Sequence, residues 1–270
     1  MCQRPTIECT CNFRTRAVST VAPCHWDDDQ ADFYARTIAQ SGYADAVVPC
    51  LGGPFADVLD IGAGSGELTS RVLSDGARWM AVEPQAAMQR RLLAQRPKLT
   101  TRGIELLLHQ QSWQDLPPGL MATTVLAANL GATHHEAARF FDLMRPRAQK
   151  NMVWVVAAQQ GPSTFCAAGF LPPDLHGANA QPAIDRCLAD LGSHRQPHAL
   201  LFADWDYRVV FPDVAHAQAF FLQRLALPEG SAKGQAVRDF VANHVESLRD
   251  GVAASCHKRS AVLRWEFELA

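Results

Sequence analysis

The chain has 270 residues, 48% hydrophobic and 19% charged, with 25 Lys plus Arg against 27 Asp plus Glu. This composition favours one folded α/β domain with its own core and excludes a disordered chain. The net charge of -2 gives no electrostatic field that would attract polyanions, so we do not expect a nucleic-acid partner. No run reaches the roughly 18 apolar residues of a membrane helix, so we do not expect a membrane partner. The start of the chain is unlike a signal peptide, so we expect a cytoplasmic location.

Residues 1–25 are predicted to form an extension ahead of a folded domain at 26–270. Four of the eight cysteines lie in this extension: Cys2, Cys9, Cys11 and Cys24. None of them is spaced as C-x-x-C, the pattern that makes a zinc site convincing. With no export signal either, we expect free thiols and no bound metal.

A helix is predicted over residues 30–40, because apolar residues recur there at helical spacing behind an acidic first turn. Its apolar face consists of Ala31, Tyr34, Ala35 and Ile38. We expect this face to pack on the ligand-binding end of the sheet that follows.

From residue 55 onward, short apolar runs alternate with helical patterns, which is typical of βαβ units and a mainly parallel sheet. The runs that are apolar on both faces, as buried parallel strands are, cover residues 56–61, 78–82, 104–108, 122–128 and 152–157. The run at 104–108 is equally compatible with the end of a helix. Helices are predicted at 85–95 and 133–144, the second beginning with a capping box of Thr133 and Glu136.

The first strand runs directly into a glycine-rich turn, Gly62-Ala63-Gly64-Ser65-Gly66. Such a turn lets the backbone approach a ligand, and a following helix presents free N–H groups to it. A dinucleotide fingerprint reads G-x-G-x-x-G, whereas this loop reads G-x-G-x-G after Asp60. The spacing therefore indicates a nucleotide-related cofactor other than a dinucleotide.

The segment from Val58 to Gly66 closely resembles the first motif of class I methyltransferases. The resemblance implies a Rossmann-like three-layer α/β/α sandwich, S-adenosylmethionine as cofactor, and methyl transfer to a small-molecule acceptor. It also implies which loop residues bind the amino-acid end of the cofactor: Asp60, Gly62, Ala63, Gly64 and Gly66.

The resemblance extends to two later loops. Glu83 and Pro84 end the second strand, where the family places a carboxylate on the ribose hydroxyls. Ser112 and Trp113 lie in the loop that flanks the adenine in the family, although Ser112 stands where an acid is frequent. All four residues are predicted to contact the cofactor.

The segment after the fourth strand resembles the one that many small-molecule methyltransferases place beside the reactive methyl. It contains Asn129, predicted to bind the cofactor, and His134 and His135, which are candidate catalytic bases because imidazole titrates near neutral pH. The alternative is that both histidines are polar residues in the first turn of a capped helix. A thiol, thiolate or metal-bound acceptor would need no base.

The remaining chain predicts a substrate lid. Residues 159–181 are rich in Gly, Pro and Ala and are typical of a loop, and a helical insert is predicted at 212–257. Both begin where strands end, so both are placed to cover the cofactor. The candidate substrate contacts are Phe165, Phe170, His176 and Trp205. The last predicted strand, 260–269, is expected at an antiparallel edge of the sheet.

Two other functions are compatible with the same residues. One is transfer of the aminocarboxypropyl group of the same cofactor, which would differ in the mass of the product. The other is a methyltransferase-like protein that binds the cofactor without catalysis. The oligomeric state and the acceptor atom are left open by the sequence.

Overall fold

The computed structural model describes residues 28–130, 133–159, 169–176, 181–228 and 230–268, without the side chains of Gln30, His134 and His176. The predicted extension at 1–25 lies outside these ranges. Within them, Cys50 and Cys187 are free thiols. No helix of the described part is long and apolar enough to cross a membrane.

A mixed β-sheet runs through the centre of the protein. Its strands are β1 (Phe55–Ile61), β2 (Leu73–Val82), β3 (Glu105–His109), β4 (Ala122–Ala128), β5 (Ala148–Ala157), β6 (Ala199–Phe211), β7 (Glu246–Leu248) and β8 (Gly251–Glu266). The order is β3-β2-β1-β4-β5-β8-β6, with β7 paired to β8. The pairs among β1 to β5 are parallel, whereas β8 is antiparallel to β5, β6 and β7.

Helices cover both faces of this sheet. They are α1 (Asp28–Gln40), α2 (Tyr43–Leu51), α3 (Thr69–Val72), α4 (Ala86–Ala94), α5 (Arg96–Thr101), α6 (Ala137–Met144), α7 (Pro173–His176), α8 (Ala183–Leu191), α9 (Val214–Arg224) and α10 (Ala232–His244). Single 3-10 turns lie at Trp113–Asp115, Thr133–His135 and Arg145–Arg147.

Successive residues of β1 face opposite layers, as the pleat of a strand requires. Val58 belongs to the same core cluster as buried residues of α1, α2, α9 and α10, and Leu59 to the one with residues of α6 and α8; both residues are fully buried. The predicted three-layer α/β sandwich with a mainly parallel sheet is therefore the observed fold.

The antiparallel direction of the C-terminal strand was predicted correctly, but its place at the edge is wrong. Strand β8 lies between β5 and β6, and β6 forms the edge. The reason is pairing on both sides: Val262 pairs with Val155 of β5 and with Leu201 of β6. Because β8 begins at Gly251, residues 251–257 belong to the sheet and not to the predicted helical insert.

The insert is closely packed on the sheet. In α9, Ala217 and Phe221 are buried, and in α10, Val237 and Val241 are buried, all within the same core as the strands. The predicted insert therefore packs on the sheet in this structure, against the half of β6 and β8 that extends past the end of β5.

Candidate functional site

The sheet order creates a crevice at its carboxyl edge. From β1, the chain moves to β2 and β3 on one side and then crosses to β4 and β5 on the other. In open α/β sheets, ligands bind where the strand order reverses in this way, outside the carboxyl ends of the strands. The expected ligand position is therefore between the ends of β1 and β4.

A cavity lies at this position. It is lined by Tyr34, Ile38, Tyr43, Asp60, Gly62, Ala63, Gly64, Ser65, Glu67, Leu68, Thr69, Ala128 and Asn129. These residues come from α1, the start of α2, the end of β1, the loop and α3 that follow it, and the end of β4. The predicted helix face thus reaches the ligand-binding end of the sheet, since Tyr34 and Ile38 form part of the wall.

The glycines of the loop have separate structural reasons. All three have positive φ, 69° at Gly62, 56° at Gly64 and 78° at Gly66, a region that L-residues avoid. A Cβ at Gly62 would overlap Leu130, and one at Gly66 would lie 2.5 Å from a methyl carbon of Leu92. A Cβ at Gly64 would have one neighbour within 4 Å, the carbonyl oxygen of Gly62 at 4.0 Å. Gly64 therefore presents open backbone to the cavity.

The Glu83 carboxylate is joined to this loop. Its Oε2 accepts a hydrogen bond from the Gly64 N–H at 2.9 Å, and its Oε1 accepts one from the Gln85 N–H at 2.8 Å. Glu83 is only 5% exposed, and burial raises the pKa of its carboxyl, which the two N–H donors partly offset. A carboxylate offers about four lone-pair sites, so each oxygen keeps one for a further donor.

Asp60 is the second buried carboxyl group of the site. It is 3% exposed and accepts hydrogen bonds from the Trp79 indole at 3.2 Å and from the Thr69 hydroxyl. Burial raises the pKa of Asp60 to about 7, and the nearby Glu83 also raises it. A bound cation would favour the ionised form of this group.

Two tyrosines cover the cavity from the helical side. The Tyr43 hydroxyl accepts a hydrogen bond from Nδ2 of Asn129 at 2.7 Å. Asn129 has a positive φ of 53°, and its backbone N–H donates to the Val155 carbonyl at 2.9 Å. Burial raises the pKa of both Tyr34 and Tyr43, so both hydroxyls stay protonated at neutral pH.

Helix α1, which carries Tyr34, is held at both of its sides. Arg91 of α4 donates to the Asp32 carboxylate and to the Asp28 carbonyl, each at 2.8 Å. On the other side, the rings of Phe33 and Phe220 of α9 lie 5.2 Å apart. The insert therefore contacts the wall of the cavity through α1.

No protein-family model and no curated protein matches the chain in sequence. Solved structures are similar to it in fold. Magnesium protoporphyrin IX methyltransferase from Synechocystis PCC 6803, with SAM bound, is 14% identical over 84% of this chain and 82% of its own, with a TM-score of 0.41. The YcgJ protein from Bacillus subtilis is 14% identical over 84% and 98%, with a TM-score of 0.49. A putative type II methyltransferase from Anaeromyxobacter dehalogenans is 15% identical over 86% and 95%, with a TM-score of 0.48.

The structure brings most of the predicted cofactor residues together. The cavity wall includes Asp60, Gly62, Ala63, Gly64 and Asn129. Other predicted residues lie next to this wall: Gly66 packs behind the loop, Glu83 binds the loop from β2, and Pro84 is exposed beside it.

The predicted adenine contacts do not line this cavity. Trp113 is half-buried, with its ring edge-on to Phe140 of α6 at 5.2 Å. The Ser112 hydroxyl donates to the side chain of Gln114. Both residues lie in the loop after β3, so their contact with adenine stays a prediction.

The side chain of His134, one of the two predicted bases, lies outside the described residues, and His135 does not line the cavity. Among the described residues of its wall there is no histidine. His135 is exposed in a 3-10 turn, where desolvation and the cation of Arg186 in α8 lower its pKa. The capping box is wrong, because the Thr133 hydroxyl donates to the Leu130 carbonyl and α6 begins only at Ala137.

Two predicted substrate contacts pack in or against the core in this structure. Trp205 is 3% exposed, and its indole N–H donates to the Ser260 hydroxyl at 3.1 Å. Phe170 stacks on Phe221 of α9 at 4.9 Å. Their partners are thus inside the protein. Phe165 and the side chain of His176 lie outside the described residues.

Sequence reasoning missed Tyr43, together with the whole of α2. The signal was present, because Ala44, Val47 and Leu51 recur at helical spacing and are buried. Pro49 inside the helix obscured it, since proline normally ends a helical segment. Among the described residues, no three His, Cys, Asp or Glu side chains form a group that could hold a metal ion.

Proposed function

We propose that this protein is an S-adenosylmethionine-dependent methyltransferase that acts on a small-molecule acceptor. One observation carries the proposal: the G-x-G-x-G loop meets two buried carboxyl groups, Asp60 and Glu83, at the crevice between β1 and β4. The motif resembles that of class I methyltransferases, in which such a loop binds this cofactor.

The residues at the site fit the cofactor chemically. Gly64 leaves space for a ligand against its backbone, which a side chain would fill. Asp60 offers an anion to an α-ammonium group. Glu83 keeps one lone-pair site on each oxygen, which suits the two neighbouring hydroxyls of a ribose.

When bound, the cofactor supplies a methyl group on a sulfonium that is already electrophilic. The protein therefore has to hold and align the two reactants and keep water out. Ile38, Leu68 and Ala128 give the cavity apolar wall next to the carboxyl groups. The two protonated tyrosines, Tyr34 and Tyr43, act as hydrogen-bond donors and not as bases.

A base is required only if the acceptor is a hydroxyl or an amine. His134 and His135 remain our proposed bases on their position after β4. Residues 159–181 and the insert, without residues 251–257 that belong to β8, remain the proposed lid, and the insert acts on the cavity through α1. An acceptor that is already a thiolate needs neither histidine.

Two measurements test the proposal. Calorimetry should detect binding of S-adenosylmethionine or S-adenosylhomocysteine and none of NAD. A metabolite extract incubated with methyl-labelled cofactor and the protein should then yield a product heavier by one labelled methyl group. Glu83→Ala serves as the matched inactive control. Binding of NAD alone would overturn the proposal, and a product carrying the aminocarboxypropyl group would redirect it to that reaction.

A further inference from the structure

Tyr43 occupies a position in the cavity that the sequence motif does not describe. We propose that its hydroxyl donates a hydrogen bond to the carboxylate at the amino-acid end of the cofactor, and so selects ligands that carry this group. The inference rests on the proposed function. It names the residue that would distinguish the full cofactor from adenosine thioethers without an amino-acid end.

The hydroxyl of Tyr43 is oriented by its neighbour. A tyrosine hydroxyl can donate one proton and accept at its oxygen. The oxygen of Tyr43 accepts from Asn129 Nδ2 at 2.7 Å. Among the described residues, the structure gives its proton no acceptor within hydrogen-bond distance. Because the oxygen already has a donor, the proton is what Tyr43 offers to a ligand in the cavity.

Both partners in this contact are held in place. The Asn129 backbone is fixed by its hydrogen bond to the Val155 carbonyl at 2.9 Å. The Tyr43 ring packs edge-on against Trp205 at 5.0 Å, and the Trp205 indole is in turn bonded to Ser260 at 3.1 Å. A donor fixed before binding loses little conformational entropy when the ligand arrives.

The charges around the cavity explain why the ligand group would be a carboxylate. An amino-acid end carries an ammonium and a carboxylate close together. Asp60, in the same wall, suits the ammonium. The carboxylate then needs neutral or cationic donors, and Tyr43 is a protonated donor beside the glycine loop. The two residues thus recognise the two charges separately.

The test is a comparison of two ligands by calorimetry. S-adenosylhomocysteine has the amino-acid end, whereas 5′-methylthioadenosine has the same adenosine and sulfur without it. Tyr43→Phe keeps the ring against Trp205 and removes only the hydroxyl. We expect Tyr43→Phe to lower the affinity for S-adenosylhomocysteine roughly ten- to a hundredfold, as for the loss of a hydrogen bond to a charged group. The affinity for methylthioadenosine should change less than about twofold.

Two further variants sharpen the comparison. Asn129→Asp places a carboxylate oxygen beside the Tyr43 hydroxyl. This oxygen would accept the hydrogen bond that Tyr43 otherwise donates to the ligand, so the variant should show the same selective loss of affinity for S-adenosylhomocysteine. Tyr207→Phe is the matched control, because the Tyr207 hydroxyl lies 3.4 Å from Thr37 Oγ1 and Tyr207 does not line the cavity. It should leave both affinities unchanged.

The inference would be overturned if Tyr43→Phe kept the same ratio of affinities for the two ligands, or lost affinity equally for both. The proposed function would stay intact in either case. Failure of the unmodified protein to bind either ligand would remove the proposed function and this inference with it. A selective loss in Tyr43→Phe and in Asn129→Asp, with Tyr207→Phe unaffected, supports it.

Discussion

The carboxylate of Glu83 accepts a hydrogen bond from the backbone N–H of Gly64, with 2.9 Å between oxygen and nitrogen. This bond joins the end of β2 to the loop that follows β1. These two strands are adjacent and parallel, so their carboxyl ends lie side by side. The glycine loop and the carboxylate therefore form one unit at the crevice, and a substitution in either should change the affinity for a ligand.

Glu83→Ala should weaken cofactor binding more than folding. The variant removes the acceptor for ribose hydroxyls, and losing charge-assisted hydrogen bonding of this type costs about 1.5–3 kcal/mol in total. The expected loss of affinity for S-adenosylhomocysteine is roughly ten- to a hundredfold by calorimetry. Glu105→Ala, an exposed change on β3, is the control and should have no effect. Full affinity in a folded Glu83→Ala protein would remove Glu83 from the site.

Two glycines of the same loop should respond differently to alanine. Gly66→Ala places a methyl group 2.5 Å from Leu92 and 2.7 Å from Trp79, so thermal unfolding should show a large loss of stability. Gly64→Ala meets only the strain of its positive φ, about 1 kcal/mol. It should stay folded and lose cofactor affinity, because the new methyl group points into open space. Equal destabilisation by the two variants would contradict this account of the loop.

Asp60 should make stability fall as pH rises through the weakly acidic range. Its folded pKa is raised from 3.8 to about 7, so between these values the folded state holds a proton that the unfolded state releases. The contribution is complete below about pH 4 and is lost towards pH 7. Asp60→Asn should flatten this part of the pH dependence in urea unfolding. A slope unchanged by the substitution would show that other groups cause it.

Ligand binding should reduce amide hydrogen exchange in α1 and α9. Tyr34 and Ile38 of α1 line the cavity, and Phe33 of α1 contacts Phe220 of α9. Exchange in these helices should slow with S-adenosylhomocysteine more than in α6, which lies on the other face. Phe220→Ala should reduce the effect in α9. Protection limited to the glycine loop and Glu83 would make the insert a structural element and not a lid.

The sequence predicted the parts of the fold that local pattern specifies. The strand at 122–128 was placed without error, because its apolar residues are buried on both faces and its ends have turn signals. The glycine-rich turn was also predicted, and Gly62, Gly64 and Gly66 each adopt a positive φ in it. Backbone requirements of this kind can be read from one sequence.

Other features depended on contacts distant in the chain. Residues 251–257 are small or polar and resemble no strand alone; they extend because β6 pairs with them along its length. His135 lies in a 3-10 turn, and no local sequence pattern predicted this turn in place of the first turn of a helix. Tyr43 reaches the cavity only because α2 packs on Trp205. Pairing and packing with remote partners decided these three cases.

The central position of β8 has a consequence for synthesis of the protein on the ribosome. A domain generally folds as a unit, and during synthesis its N-terminal residues emerge first. Strand β6 ends some forty residues before its partner begins, yet among the described residues it joins the sheet only through β8. Until residues 251–266 are available, β5 and β6 both have unpaired edges, which are sites of misassembly. The sheet can therefore be completed only after residues 251–266 have emerged, and until then two of its strand edges stay open.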